Sequence, residues 1–260
     1  MQLYIDEESQ KLDYFYHFTT FKAFKSIITN FCLYMSKIGD NLNDKKEQLY
    51  VNNIGDFYIT CFTSEINDAL WNHDDYGKGE EQAVCIGIKT KNLDQLKIRY
   101  DNGDVIESHH RISQYNDTYS FYDFGLYGLS IHKVIYKNNP MTDYIFDEEL
   151  YNFFAGCCNL DREKLKENCK RITNRGYVKS NIDNNGVDQT KEKEHRIIAV
   201  VLYKGIRIKE PRAYDYINRV LMDFSALKNN ITIYVKNKFI YKDELVSICK
   251  ECTINYSILK

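Results

Sequence analysis

The chain has 260 residues, enough for one large domain able to bury roughly 70 to 75% of its unfolded surface. Hydrophobic residues make up 43% and there are 12 glycines, an ordinary globular composition that excludes a disordered or collagen-like chain. Against 37 acidic residues stand 35 basic ones, a net charge of −2, so no whole-molecule field draws the chain to a polyanion and a basic DNA-coating protein is excluded.

Pro140 and Pro211 are the two prolines. They leave no stiff linker, and a single domain over residues 1–260 is expected. Met1 to Gln10 carries Asp6, Glu7 and Glu8 where a secretory signal needs a basic end and an apolar stretch. The longest strongly apolar run, Ile197 to Tyr203, is far shorter than the roughly 18 residues of a membrane span. A cytoplasmic protein with no membrane partner is expected. The eight cysteines then read as reduced thiols. Cys249 and Cys252 form one C-x-x-C pair, but no second pair follows and both can share a buried helix face, so no metal site is predicted.

In chain order, Tyr14 to Phe18 alternates aromatics around His17 and predicts a strand. Thr19 or Thr20 then caps a helix whose Phe21, Phe24, Ile27 and Ile28 fall on one face. Leu33 to Ser36 reads as a short strand and Gly39 to Gln48 as an exposed loop. Phe57 to Phe62 and Ala83 to Ile88 are stronger strands, separated by a segment holding the single tryptophan, Trp71. Between Asn92 and Pro140 the signal is mixed, with β-prone pieces such as Lys133 to Tyr136. Helices are predicted over Asp147 to Cys158 and Asp161 to Ile172, and a polar loop over Asn174 to Thr190. Glu192 to Tyr203 is the most apolar strand. Ala213 to Leu227 predicts a helix, Ile231 to Val235 a strand, Lys242 to Cys252 a helix and Thr253 to Leu259 a closing strand. Helices and strands mix without a regular βαβ beat, which points to an α+β fold.

Three constellations carry chemistry. Tyr16-His17-Phe18-Thr19 stands at a strand end, where an imidazole nitrogen can meet a ligand hydroxyl and Thr19 can fix the turn. Alone, its plainer reading is a histidine buried beside aromatics. Glu192-Lys193-Glu194 stands at the mouth of the apolar strand, and alternation along a strand would turn both carboxylates to one cleft, with Lys193 and His195 facing away. A fixed carboxylate can stabilise the cationic sugar left when a ribose parts from a positively charged nicotinamide; the plainer reading is a solvated charge run. The third is Cys61-Phe62-Thr63-Ser64-Glu65 with Leu70-Trp71-Asn72-His73 and Tyr76. Its aromatics could floor a flat heterocycle and Ser64 could hold a phosphate or ribose oxygen, although a lone tryptophan is commonly core. His73-Asp74-Asp75 lacks the further ligands of a metal centre, His109-His110-Arg111 reads as a surface turn, and the positive stretch from Arg162 to Arg175 is offset by Asp161, Glu163 and Glu167.

Taken in order, these pieces resemble a bacterial domain-of-unknown-function family of the ADP-ribosyltransferase-like superfamily. The resemblance rests on Tyr16-His17-Phe18-Thr19, the helix ending Ile27-Ile28-Thr29-Asn30, Leu33-Tyr34-Met35-Ser36, Asn43-Asp44-Lys45-Lys46-Glu47, Cys61-Phe62-Thr63-Ser64, Leu70-Trp71 with Tyr76, Val84-Cys85-Ile86-Gly87-Ile88 and Glu192-Lys193-Glu194-His195-Arg196-Ile197-Ile198. It spans about Tyr14 to Tyr203, with residues 204–260 expected to pack on the same core. The departures are His195, where the family usually has tyrosine, and extra residues between Trp71 and Tyr76.

The resemblance implies an ADP-ribosyltransferase-like split β-sheet with flanking helices that binds NAD as its substrate. His17 would contact the adenosine ribose, with Thr19, Ser36 and Ser64 among the cofactor-binding residues. Tyr34, Trp71 or Tyr76 would stack on nicotinamide. Glu194 would be the catalytic carboxylate and Glu192 would position the acceptor or the ribose. The implied activity is transfer of ADP-ribose to a protein or nucleic acid, as a toxin or phage-defence effector with a neutralising partner protein would perform it. The alternative is a nucleotide-binding or sensing module that uses the same cleft without turnover. The transferase reading requires His17 and Glu194 to meet across a hollow large enough for a dinucleotide, whereas a Glu194 buried against a lysine or arginine and far from His17 would favour the binding module.

Overall fold

The computed structural model describes residues 3–37, 56–72, 79–100, 110–112, 122–138, 147–157, 162–163, 166, 170, 176–182, 186–205 and 220–260. The elements in order are β1 (Leu3–Ile5), α1 (Glu7–Gln10), β2 (Tyr14–Thr20), α2 (Phe21–Asn30), β3 (Cys32–Lys37), β4 (Asp56–Thr63) and α3 (Asp68–Trp71). There follow β5 (Ala83–Lys89), β6 (Lys97–Tyr100), β7 (His110–Ile112), β8 (Tyr122–Lys133), β9 (Ile135–Lys137), α4 (Glu148–Cys157) and β10 (Val178–Ser180). The last are β11 (Glu194–Gly205), β12 (Val220–Asp223), β13 (Ile231–Lys236), α5 (Lys242–Cys252) and β14 (Asn255–Leu259). Outside the described residues lie the loop predicted over 39–48 with Asn43 to Glu47, His73-Asp74-Asp75, Tyr76, His109, and Lys164, Arg171 and Arg175 of the positive stretch.

A large mixed sheet with a few helices results, consistent with the α+β class. Its main path runs β1-β8-β11-β4-β2-β5-β13-β14. The centre matters most for function. On one side β4 pairs with β11 from Thr63 opposite Glu194 to Asp56 opposite Val201. On its other side β2 meets it at the single pair Tyr16 and Thr63, then runs along β5 from Tyr14 to Thr20. The far end of β4 is taken by β3, with Ser36 opposite Ile59 and Lys37 opposite Tyr58. Among the described residues the sheet therefore parts between β2 and β4.

Local chemistry explains the flanking helices. The Thr20 hydroxyl accepts a hydrogen bond from the Ala23 amide at 3.2 Å, capping α2. Phe21, Phe24, Ile27 and Ile28 of that helix are buried in the main core, each such side chain contributing about 1.5–3 kcal/mol. The N-terminal leader is structured as well, although nothing in its polar composition announces it. Asp6 accepts from the Ser9 amide at 2.7 Å through Oδ1 and from the Lys133 amide at 2.7 Å through Oδ2. One side chain thus caps α1 and ties it to β8, along which β1 runs in parallel.

The C-terminal strands continue this sheet: β13 pairs antiparallel with β5 and parallel with β14. One expected element is overturned. Within the helix predicted over Ala213 to Leu227, Val220–Asp223 is a strand inserted between β3 and β6, followed by a 3-10 turn over Ser225–Asn230. Val220 and Met222 point into the core, and hydrogen bonding on both edges outweighs helix-compatible spacing. Among the described residues no helix is long and apolar enough to cross a membrane.

Candidate functional site

The parting of β2 from β4 leaves a hollow lined by Tyr16, His17, Phe18, Cys61, Phe62, Thr63, Leu70, Glu192 and Glu194. Its volume is about 50 Å³. That takes one small group, whereas pockets for drug-sized ligands occupy about 300–1,000 Å³. His17, Glu192 and Glu194 therefore do come together, in a space smaller than the dinucleotide-sized hollow expected.

His17 sits where the strands diverge. Its Nδ1–H donates to the Cys61 carbonyl at 3.0 Å, satisfying an oxygen that faces the departing strand. A carbonyl can only accept, so this bond fixes the tautomer and leaves Nε2 as the acceptor. Burial holds the imidazole below its ordinary pKa, the bond to Cys61 opposing. His17 is therefore a neutral ring with a lone pair suited to a ligand hydroxyl.

The two carboxylates converge by a different route from the one expected. Glu192 lies in a 3-10 turn over Gln189–Glu192, and β11 begins at Glu194. Between them Lys193 adopts φ 45°, in the left-handed region. This kink, rather than strand alternation, brings both carboxylates to one place. Lys193 does turn away, reaching Glu65 at 2.8 Å. So does His195, which is buried against Ser9, Oγ to Nδ1 2.9 Å.

Glu194 is 4% exposed and doubly held. Arg196 Nε donates to its Oε1 at 2.7 Å, and Lys179 Nζ donates to its Oε2 at 3.1 Å. The same ammonium donates to Glu192 Oε2 at 2.9 Å. The Cys61 thiol also hydrogen-bonds Glu194, while the Glu194 amide donates to the Tyr136 hydroxyl at 3.2 Å. Burial alone would raise the Glu194 pKa, but Arg196 and then Lys179 outweigh it and keep the carboxyl well below its usual range. Burial, reinforced by Glu194, pushes the Cys61 thiol well up, which makes it a poor nucleophile.

Lys179 arrives on a short segment laid over β11. Arg196 donates to the Gly176 carbonyl at 3.1 Å. Tyr177 stacks on His132 with ring centroids 4.1 Å apart, and its hydroxyl donates to Asp147 at 2.9 Å. β10 then pairs in parallel with β9. A Cβ at Gly176 would stand 2.4 Å from Cδ1 of the buried Ile198. Gly176→Ala is accordingly expected to cost about 1–3 kcal/mol through overpacking, read as a lower urea midpoint. An unchanged midpoint would show that Ile198 gives way freely.

The other predicted cofactor residues are placed elsewhere. Trp71 is fully buried, edge-to-face with Phe18 at 5.0 Å, so the stacking face expected of it is covered by core; its neighbour Leu70 lines the hollow instead. Tyr34 is 57% exposed on β3 and Ser36 is exposed beside it. Thr19 is buried opposite Val84. The Ser64 amide donates to the Lys193 carbonyl at 3.3 Å. None of these five lines the hollow. Sequence reasoning missed Lys179 and Tyr136 and gave Arg196 no role. Its two-residue spacing from Glu194 was the available signal for Arg196, whereas Val178–Ser180 lies inside the stretch predicted to be a polar loop.

Comparison with protein families, with curated proteins and with solved structures gives no match.

Proposed function

We propose that the hollow is the reacting end of an NAD-dependent ADP-ribosyltransferase acting on a protein or nucleic acid. The supporting observation is that His17 and Glu194, far apart in sequence, line one hollow with Glu192. The nicotinamide end alone would enter it, with Tyr16, Phe18, Phe62 and Leu70 offering apolar contact. His17 Nε2 would accept a hydrogen bond from a sugar hydroxyl. As the bond between ribose C1′ and the nicotinamide nitrogen breaks, its electron pair leaves with nicotinamide, which departs neutral. The ribose becomes cationic, and Glu194 would stabilise that charge. The acceptor then bonds to C1′ and gives up its proton. A toxin or defence effector held in check by a neutralising partner is the biological setting this activity suggests.

One observation favours a second reading, in which the cleft binds a nucleotide without turnover. Both Glu194 oxygens are already engaged, by Arg196 and Lys179, which weakens their pull on a new cation. Incubation of the protein with NAD and a cell lysate separates the two. Nicotinamide release with label transfer is expected of the transferase. Saturable NAD binding with no release would favour the sensing module.

A further inference from the structure

We infer that Lys179 is a positioning residue of this site, which holds Glu192 and Glu194 together as paired anions from outside the hollow. The inference deepens the transferase reading and rests on it for its catalytic meaning. Lys179 does not line the hollow, yet its ammonium lies 2.9 Å from Glu192 and 3.1 Å from Glu194. The nitrogen therefore bridges the two carboxylates without itself lining the ligand space. Two carboxylates sharing a site repel, and without a counter-cation one of them takes up a proton or swings aside.

The surroundings fix where the ammonium can be. Residues 176–180 are anchored by the Arg196 to Gly176 bond, the Tyr177 stack on His132, the Tyr177 to Asp147 bond and the β9 to β10 pairing. The Lys179 side chain is 11% exposed. Its burial works against the charge, while Glu194 and Glu192 keep it protonated. A lysine delivered from a pinned segment thus sets the direction and ionisation of both carboxylates, as an exposed surface pair does not.

The experiment is an NMR titration of the side-chain carboxyls in wild type, Lys179→Met, Lys179→Gln and Lys179→Arg, the two signals being assigned through Glu192→Gln and Glu194→Gln. In Lys179→Met one of the two carboxylates should bind its proton about 10- to 100-fold more readily. Lys179→Arg should restore the wild-type titration. The rise should disappear in Lys179→Met/Glu192→Gln, because the second anion is gone; a merely structural lysine would not produce that cancellation. Lys179→Gln, which keeps a hydrogen-bond donor, replaces Lys179→Met if the latter loses its near-UV circular dichroism. Unchanged titration in the folded variant overturns the inference, even if wild type releases nicotinamide from NAD. A shifted titration without any nicotinamide release upholds the positioning role and removes the transferase reading.

Discussion

Glu194→Gln is expected to lower nicotinamide release from NAD about 100-fold or more, the usual loss when one stabiliser of transition-state charge is removed. The amide has nearly the shape of the carboxylate, so the hollow keeps its outline while the charge is lost. Stability falls too. Arg196, 2% exposed, and Lys179 would face a neutral group, and breaking a buried pair from one side typically costs about 3–5 kcal/mol. Rates must therefore be compared at a temperature where the variant retains its native circular dichroism. Glu194→Asp supplies the control, because it preserves the charge and displaces it by one methylene. Release by Glu194→Gln equal to that of wild type would remove Glu194 from the chemistry, whatever the stability loss.

His17 and Glu194 were legible because each sits in a strand whose pattern stands out in the sequence. β2, α2, β13 and α5 carry their own periodicity, and Thr20 its own cap, so little beyond the local sequence was needed. Lys179 was not legible. Three residues of strand have no periodicity to detect, and β10 exists only because β9 lies alongside. The convergence of Glu192 with Glu194 was anticipated for the wrong reason, since a left-handed Lys193 cannot be read from a residue type that seldom adopts that conformation. Trp71 shows the opposite failure: a conspicuous residue expected at the ligand is instead packed into a small core with Phe18, Leu70, Ala83 and Cys85. β12 was lost because its helix-compatible spacing says nothing of the two strands waiting on either side.

Acid should unfold the protein through its histidines before its carboxylates. Burial lowers the His195 pKa from 6.5 to about 4, opposed by Asp6. His132 is lowered too, again by burial first, with Asp6 and Asp147 opposing. His132 is 1% exposed and, among the described residues, neither ring nitrogen has a hydrogen-bond partner; its neutral ring stacks on Tyr177 and lies 5.3 Å from the Tyr4 ring. Below pH 6.5 the unfolded chain protonates these rings while the fold does not, so the unfolded state binds more protons and stability falls as the pH drops toward 4. For His195 the loss is about 3 kcal/mol across that window, and His132 adds to it in the same direction. Glu194 acts in a lower window. Its carboxyl is held below the usual range, so its contribution persists down through the ordinary carboxylate pKa and is lost only in stronger acid. His132→Phe separates these effects. The phenyl ring keeps the stack and removes two unsatisfied nitrogens, which should raise stability by about 1–3 kcal/mol at neutral pH, and it removes one titrating ring, which should flatten the decline between pH 6.5 and 4. Urea unfolding at pH 4.5, 5.5, 6.5 and 7.5 reads both effects, and parallel pH profiles for wild type and His132→Phe would show that His132 takes no part in the acid response.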